Sequence, residues 1–251
     1  MLRRTGLVLL AALSLVGCAA QDKQAAPAAG VTGQLTVFAA ASLTETFTKL
    51  GKGFEAANPG LKVTFNFGGS SALAQQINSG APADVFASAS PANMQQVTDA
   101  VSPKTFARNR LEIAVPKGNP GKVAGLADFG KADLKIALCA EQVPCGAAAK
   151  KVFEAAGITA APDTLEQDVK AVLTKVRLGE VDAALVYRTD VKAAGGQVEG
   201  IEFPESDKAV NDYPVAALAK APNAAVAKAF VEYVLSDKGR GVLAEAGFDS
   251  P

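Results

Sequence analysis

The run Leu35-Thr36-Val37-Phe38-Ala39-Ala40-Ala41-Ser42-Leu43-Thr44-Glu45 passes from a β-type segment directly into a helix. Val37 and Phe38 suit an extended, half-covered chain. Leu43, Phe47, Leu50 and Phe54 then recur at spacings of four, three and four, the apolar stripe of an amphipathic helix. The same alternation continues outward. Apolar runs at 35–39, 63–67, 84–87, 112–115, 135–138, 183–187, 200–203 and 215–219 read as strands, and Val169, Val172, Leu173 and Val176 form a further helical stripe. Gly157 and Gly179 fall where helix C-caps are expected. Strands alternating with helices predict an α/β fold of mostly parallel sheets flanked by helices.

The chain has 251 residues, of which 49% are hydrophobic and 20% charged. That length favours two lobes over one core, and the composition fits neither wholesale disorder nor a polytopic membrane protein. There is no histidine and no tryptophan, so Ser-His-Asp or Cys-His catalysis, a histidine general base and an imidazole metal site are excluded. Basic and acidic residues balance at 25 each, leaving no overall attraction for nucleic acid, and none is expected as a partner.

At the N-terminus, Met1-Leu2-Arg3-Arg4 precedes an apolar run from Leu7 to Val16, too short for a mature transmembrane helix. This reads as a secretion signal. Leu15-Val16-Gly17-Cys18 resembles a bacterial lipobox, which predicts cleavage after residue 17 and lipidation of Cys18. Removing residues 1–17 takes away Arg3 and Arg4, leaving 23 basic against 25 acidic residues and a charge near −2. Residues 18–33 are small and polar, and read as a flexible, lipid-anchored tether on the outer face of the membrane.

Polar residues gather at the carboxyl ends of the strands, where open α/β sheets bind ligands and helix N-termini present unpaired N–H groups. Ser42 follows the first strand and opens a helix, with Glu45 as an expected capping-box partner. Gly68-Gly69-Ser70-Ser71 follows the second strand. Pro144-Cys145-Gly146 and Asp168-Val169 open two later helices, and Tyr187 ends a strand. Each has a plainer reading: a serine there can be only an N-cap, and Tyr187 can be core. Gly-Gly-Ser-Ser lacks the lysine and spacing of a nucleotide loop.

In company, these segments are distinctive. The segments 36–44, Gly69-Ser70-Ser71-Ala72-Leu73-Ala74-Gln75-Gln76-Ile77, and Gly80-Ala81-Pro82-Ala83-Asp84-Val85-Phe86 are followed by Val143-Pro144-Cys145-Gly146 and Asp168-Val169-Lys170. Then come 179–187, Phe203-Pro204-Glu205 and Tyr213-Pro214-Val215. The series resembles the periplasmic molybdate-binding proteins (ModA) of bacterial molybdate ABC importers, in their order, over essentially residues 34–250. The resemblance implies a two-lobed, type II solute-binding fold with a tetrahedral oxyanion, molybdate or tungstate, held in the cleft. Ser42 and Ser70 match the family's two serine ligands, Cys145 and Val169 its backbone N–H donors, and Tyr187 its hydroxyl. Alanine is common in the family at the position of Cys145, but a backbone donor survives that change.

The resemblance also implies a partner permease and ATPase, no resident cofactor, no catalysis, and a monomer. With the strand order it suggests one lobe at 34–111 and 212–250 and another at 112–211. The chemistry agrees: molybdate, tungstate and sulfate carry no proton near neutral pH, so hydroxyls and helix-start amides suffice without a buried countercharge. Phosphate would want an acceptor, and Asp168, the nearest carboxylate, is expected to cap its helix instead. Sulfate shares molybdate's charge and shape and stays open as an alternative ligand. Cys139 and Cys145 in an exported chain read as a disulfide, with free thiols or a metal site as alternatives. A rival function is a Ser-Lys hydrolase, but Leu73 stands three residues after Ser70 and Glu45 three after Ser42, where that motif needs lysine.

Overall fold

The computed structural model describes residues 31–251. The expected signal peptide at 1–17, lipidation at Cys18 and most of the 18–33 tether lie outside the described residues. The last three residues of that tether belong to the fold: the Val31 N–H donates to Asn58 Oδ1 at 3.3 Å, and Gly33 already pairs with Leu61.

Two five-stranded sheets organise the chain. In the first, β1 (Gly33–Ala40) lies between β2 (Leu61–Gly68) and β3 (Val85–Ala87), followed by β10 (Asn211–Leu218) and β4 (Ala100–Asn109) at the edge. The second runs β7 (Thr164–Glu166), β6 (Ile136–Cys139), β8 (Ala183–Tyr187), β5 (Leu111–Pro116) and β9 (Val198–Ile201). Both are mixed: four strands of each run one way, as a mostly parallel sheet requires, and one strand, β10 or β5, runs against them. β1 pairs in parallel with β2 and β3, and β6 with β7 and β8, while β10 and β5 each make two antiparallel pairings. The cause is the double crossing: β5 and β10 each enter their sheet directly from the other one, and so run against the strands that helices connect.

The first sheet is flanked by α1 (Thr44–Ala57), α2 (Ser70–Asn78), the short α3 (Pro91–Gln95), α7 (Ala224–Leu235) and α8 (Asp237–Ala246). The second carries α4 (Pro144–Ala156), α5 (Val169–Leu178) and α6 (Arg188–Ala194). The α1 stripe buries Phe47, Leu50 and Phe54. Phe47 and Phe54 meet Phe230 of α7 edge-on at centroid distances of 6.2 and 5.3 Å. Each fully buried aromatic of this kind contributes roughly 2–3 kcal/mol. Gly157 and Gly179 cap α4 and α5 in the left-handed conformation, at φ 67° in both.

The buried apolar residues fall into separate clusters for the two sheets, with one telling exception: Ala41, just past β1, packs into the core of the second sheet. The lobes therefore meet at the carboxyl end of β1. They are joined by the chain at Asn109–Leu111 and Val210–Asn211. Here Asn109 is fully buried, its Nδ2 donating to Thr189 Oγ1 at 2.8 Å and its Oδ1 accepting from the Arg110 N–H at 3.0 Å. Beside this crossing, Arg188 and Arg110 hold Asp249 at 2.5 and 3.4 Å.

Candidate functional site

A small, narrow cavity between the lobes is lined by Ser42, Ser70, Cys145, Val169 and Tyr187 together. Each reaches it from the end of a strand or the start of a helix. Ser42 sits in the 3-10 turn Ala41–Leu43 that follows β1, Ser70 is the first residue of α2 after β2, and Tyr187 is the last residue of β8. Cys145 and Val169 occupy the first turns of α4 and α5.

Local chemistry leaves particular donors free. Asp168 is the N-cap of α5, its Oδ1 accepting from the Lys170 and Ala171 N–H groups at 2.8 and 2.9 Å. The cap satisfies the second and third amides of the helix, and no acceptor among the described residues pairs with the Val169 N–H. At α4 the first residue is Pro144, which has no N–H, and Ala147 bonds to Val143. That leaves the Cys145 and Gly146 amides at the positive end of the helix. Gly146 is required here, because a Cβ would lie 2.0 Å from the Ala140 carbonyl oxygen. A disulfide joins Cys139 at the end of β6 to Cys145, with Cα atoms 5.7 Å apart, and closes the turn that presents this amide.

The Tyr187 hydroxyl is buried without a hydrogen-bond partner among the described residues, although the residue is only 1% exposed. An orphaned buried hydroxyl costs about 1–3 kcal/mol, so this group has a proton to offer to an acceptor in the cavity. Burial holds its pKa well above the ordinary phenol value, so it is a neutral donor. Ser70 Oγ accepts from the Ala89 N–H at 3.0 Å, and Ser42 Oγ lies 3.0 Å from Tyr213 Oη. Among the described residues no lysine, arginine or glutamate lines the cavity, and its one charged side chain is the helix-capping Asp168. The arrangement is a ring of amide and hydroxyl dipoles contributed by both lobes. It suits an anion without protons and gives a serine nucleophile no lysine partner.

Two features were not anticipated. The expected Ser42–Glu45 capping box is absent: the turn has no side-chain cap, and both Glu45 carboxylate oxygens accept from Lys170 Nζ at 2.9 Å. Lys170 of α5 also pairs with buried Asp190 of α6 at 3.0 Å, and Asp190 Oδ2 accepts from the Tyr187 N–H at 3.1 Å. Burial disfavours the Lys170 charge, but Asp190 and Glu45 outweigh it and hold its pKa above the usual lysine range. Burial raises the Asp190 carboxyl, an effect that Lys170 opposes. The network ties α1 of one lobe to the helix that presents Val169. Tyr213, from the crossing strand β10, is the other unforeseen member: it stands in the motif series, but nothing local in the sequence pairs it with Ser42.

Residues 35–249 match the family described as bacterial extracellular solute-binding protein. The molybdate-binding protein ModA of Mycobacterium tuberculosis is 40% identical over 98% of this chain and 97% of its own length. A putative ABC transporter substrate-binding lipoprotein of Bacillus subtilis, YvgL, is 30% identical over 96% of this chain and 95% of its own. The solved periplasmic molybdate-binding protein of Azotobacter vinelandii superposes with a TM-score of 0.74 over 86% of this chain and 99% of that one, at 21% identity, a likeness of fold.

Proposed function

The chain belongs to the bacterial extracellular solute-binding proteins, and from that membership we propose that it captures molybdate outside the cytoplasm and delivers it to an ABC importer. The observation that carries this reading is the cavity itself: donors from both lobes surround it, and the buried Tyr187 hydroxyl lacks any acceptor. Molybdate would take hydrogen bonds from the Ser42, Ser70 and Tyr187 hydroxyls and the Cys145 and Val169 amides. Two helix N-termini supply favourable partial charge, so a dianion is held without a buried cation. The naming of similar full-length proteins as molybdate-binding selects this oxyanion among the tetrahedral ones. Tungstate, of the same charge and shape, binds as well in this account.

Ser42 and Ser70 lie on one lobe and the other three donors on the second, so the full set exists only in the closed form. Ligand therefore shifts the open–closed equilibrium toward closure, and the closed protein is what a permease and its ATPase receive. No bond in the ligand changes, and the protein works as a monomer. The lipobox-like Leu15-Val16-Gly17-Cys18 and the lipoprotein naming of the Bacillus relative support a lipid anchor on Cys18. Calorimetric titration of the purified chain with molybdate, tungstate, sulfate and phosphate tests the function. Saturable 1:1 binding of molybdate and tungstate is expected; a preference for sulfate would reassign the ligand, and no heat with any oxyanion would end this reading.

A further inference from the structure

We propose that Tyr213 is a specificity-determining positioning residue of this site, which holds the Ser42 hydroxyl as a one-way donor toward the cavity. The inference rests on the anion-clamp reading above. A serine hydroxyl has one proton and two lone pairs, so it can donate to a deprotonated oxyanion or accept from a protonated one. Which it does depends on what its other partner offers.

At Ser70 that partner is unambiguous. The Ala89 N–H donates to Ser70 Oγ at 3.0 Å and cannot accept, so the Ser70 proton is left for the cavity. Ser42 has the corresponding partner in Tyr213 Oη, also at 3.0 Å. Tyr213 is fully buried, and its ring is fixed edge-on by Phe248 at 5.4 Å and Tyr187 at 6.0 Å. Burial also raises its pKa above the ordinary phenol value, keeping it protonated. If Tyr213 donates to Ser42, the Ser42 proton must point at the ligand, and the two bonds reinforce each other. The reverse arrangement would aim a Ser42 lone pair at a dianion.

Both serines are thus backed by inward donors, and Asp168 Oδ1, the carboxylate oxygen engaged at the cavity rim, is occupied by two amides. A ligand hydroxyl, as in hydrogenphosphate, finds no acceptor in either serine. Tyr213→Phe keeps the ring and removes the constraint: Ser42 can then rotate and accept.

The test is calorimetric binding of molybdate and of hydrogenphosphate to the unmodified protein, Tyr213→Phe, Ser42→Ala and the double variant. Tyr213→Phe is expected to weaken molybdate about tenfold and to narrow the discrimination against hydrogenphosphate by a similar factor. In the Ser42→Ala background it should do neither. Unchanged discrimination in Tyr213→Phe, or the same loss with and without Ser42, overturns the role of Tyr213 and makes it a packing residue. In the unmodified protein, NMR should find a Tyr213 hydroxyl proton protected from exchange once molybdate is bound; rapid exchange would likewise overturn it. Failure of the unmodified protein to bind any oxyanion would end the clamp reading first, before any variant is compared.

Discussion

Gly69→Ala separates ligand capture from folding. A Cβ at Gly69 would lie 2.2 Å from the Gln167 carbonyl oxygen on the opposite lobe, where ordinary contact starts at 3.4 Å. Gly69 itself has φ −61° and ψ 133°, a conformation open to any residue, so alanine strains nothing within its own lobe. The clash appears only on closure. Gln167 directly precedes Asp168 and Val169, so the roughly 1 Å retreat needed to relieve it falls on the segment presenting the Val169 amide. A hydrogen bond of about 2.9 Å stretched by that much is no longer one. Loss of Val169 and weakening of one neighbouring donor, at about 1.5 kcal/mol each for bonds to a charged acceptor, totals about 3 kcal/mol, or roughly 100-fold in Kd. Titration calorimetry with molybdate measures this, and thermal melting of the ligand-free protein checks the fold. Affinity within twofold of the parent, with melting unchanged, would refute the dependence of binding on this close approach.

Other perturbations follow from the same geometry. Tyr187→Phe removes one buried donor and should weaken molybdate by about 1–2 kcal/mol; equal affinity in titration would leave Tyr187 as core only. Replacing Cys139 and Cys145 together by alanine opens a crosslink of sequence separation 6 and should lower stability by about 2 kcal/mol in denaturant melts. It should also weaken binding by loosening the Cys145 turn, and undiminished affinity would show that the bond serves stability alone. Burial, and then Glu202, raise the Glu112 carboxyl near the crossing from 4.5 to about 7. The folded form holds this proton more tightly than the unfolded chain, so the contribution to stability is full below pH 4.5 and is lost as pH rises through 7. Glu112→Gln should therefore stabilise the fold at pH 8 by about 1 kcal/mol after solvent screening at this partly exposed site, raising the Tm there and leaving it unchanged at pH 4. Equal shifts at both pH values would contradict the assignment.

The helical stripes and the buried central strands were legible because their periodicity is local. Ala183–Tyr187 shows this best: all five residues are apolar or aromatic, and all are buried. Two edge strands were not. In Ala100–Asn109, Pro103 and exposed polar residues break the alternation, and only Phe106, Ala107 and Asn109 are buried. Thr164–Glu166 is short and only partly buried. The antiparallel placement of β5 and β10 was equally hidden, since it depends on which lobe the chain is leaving. The five cavity residues could be named because strand ends and helix starts are local features and the motif series resembled a known family. Partners distant in the chain could not. The Ser42 contact with Tyr213 spans 171 positions, and the Glu45 contact with Lys170 spans 125, where a local capping box was the nearer expectation.

The most direct test of the clamp is crystallography of the protein grown with molybdate, using anomalous scattering at the molybdenum edge. One dominant anomalous peak is expected between Ser42, Ser70, Cys145, Val169 and Tyr187, with oxygens within hydrogen-bonding distance of all five. A peak elsewhere, or a molybdate there coordinated by lysine or arginine side chains, would contradict capture by neutral dipoles.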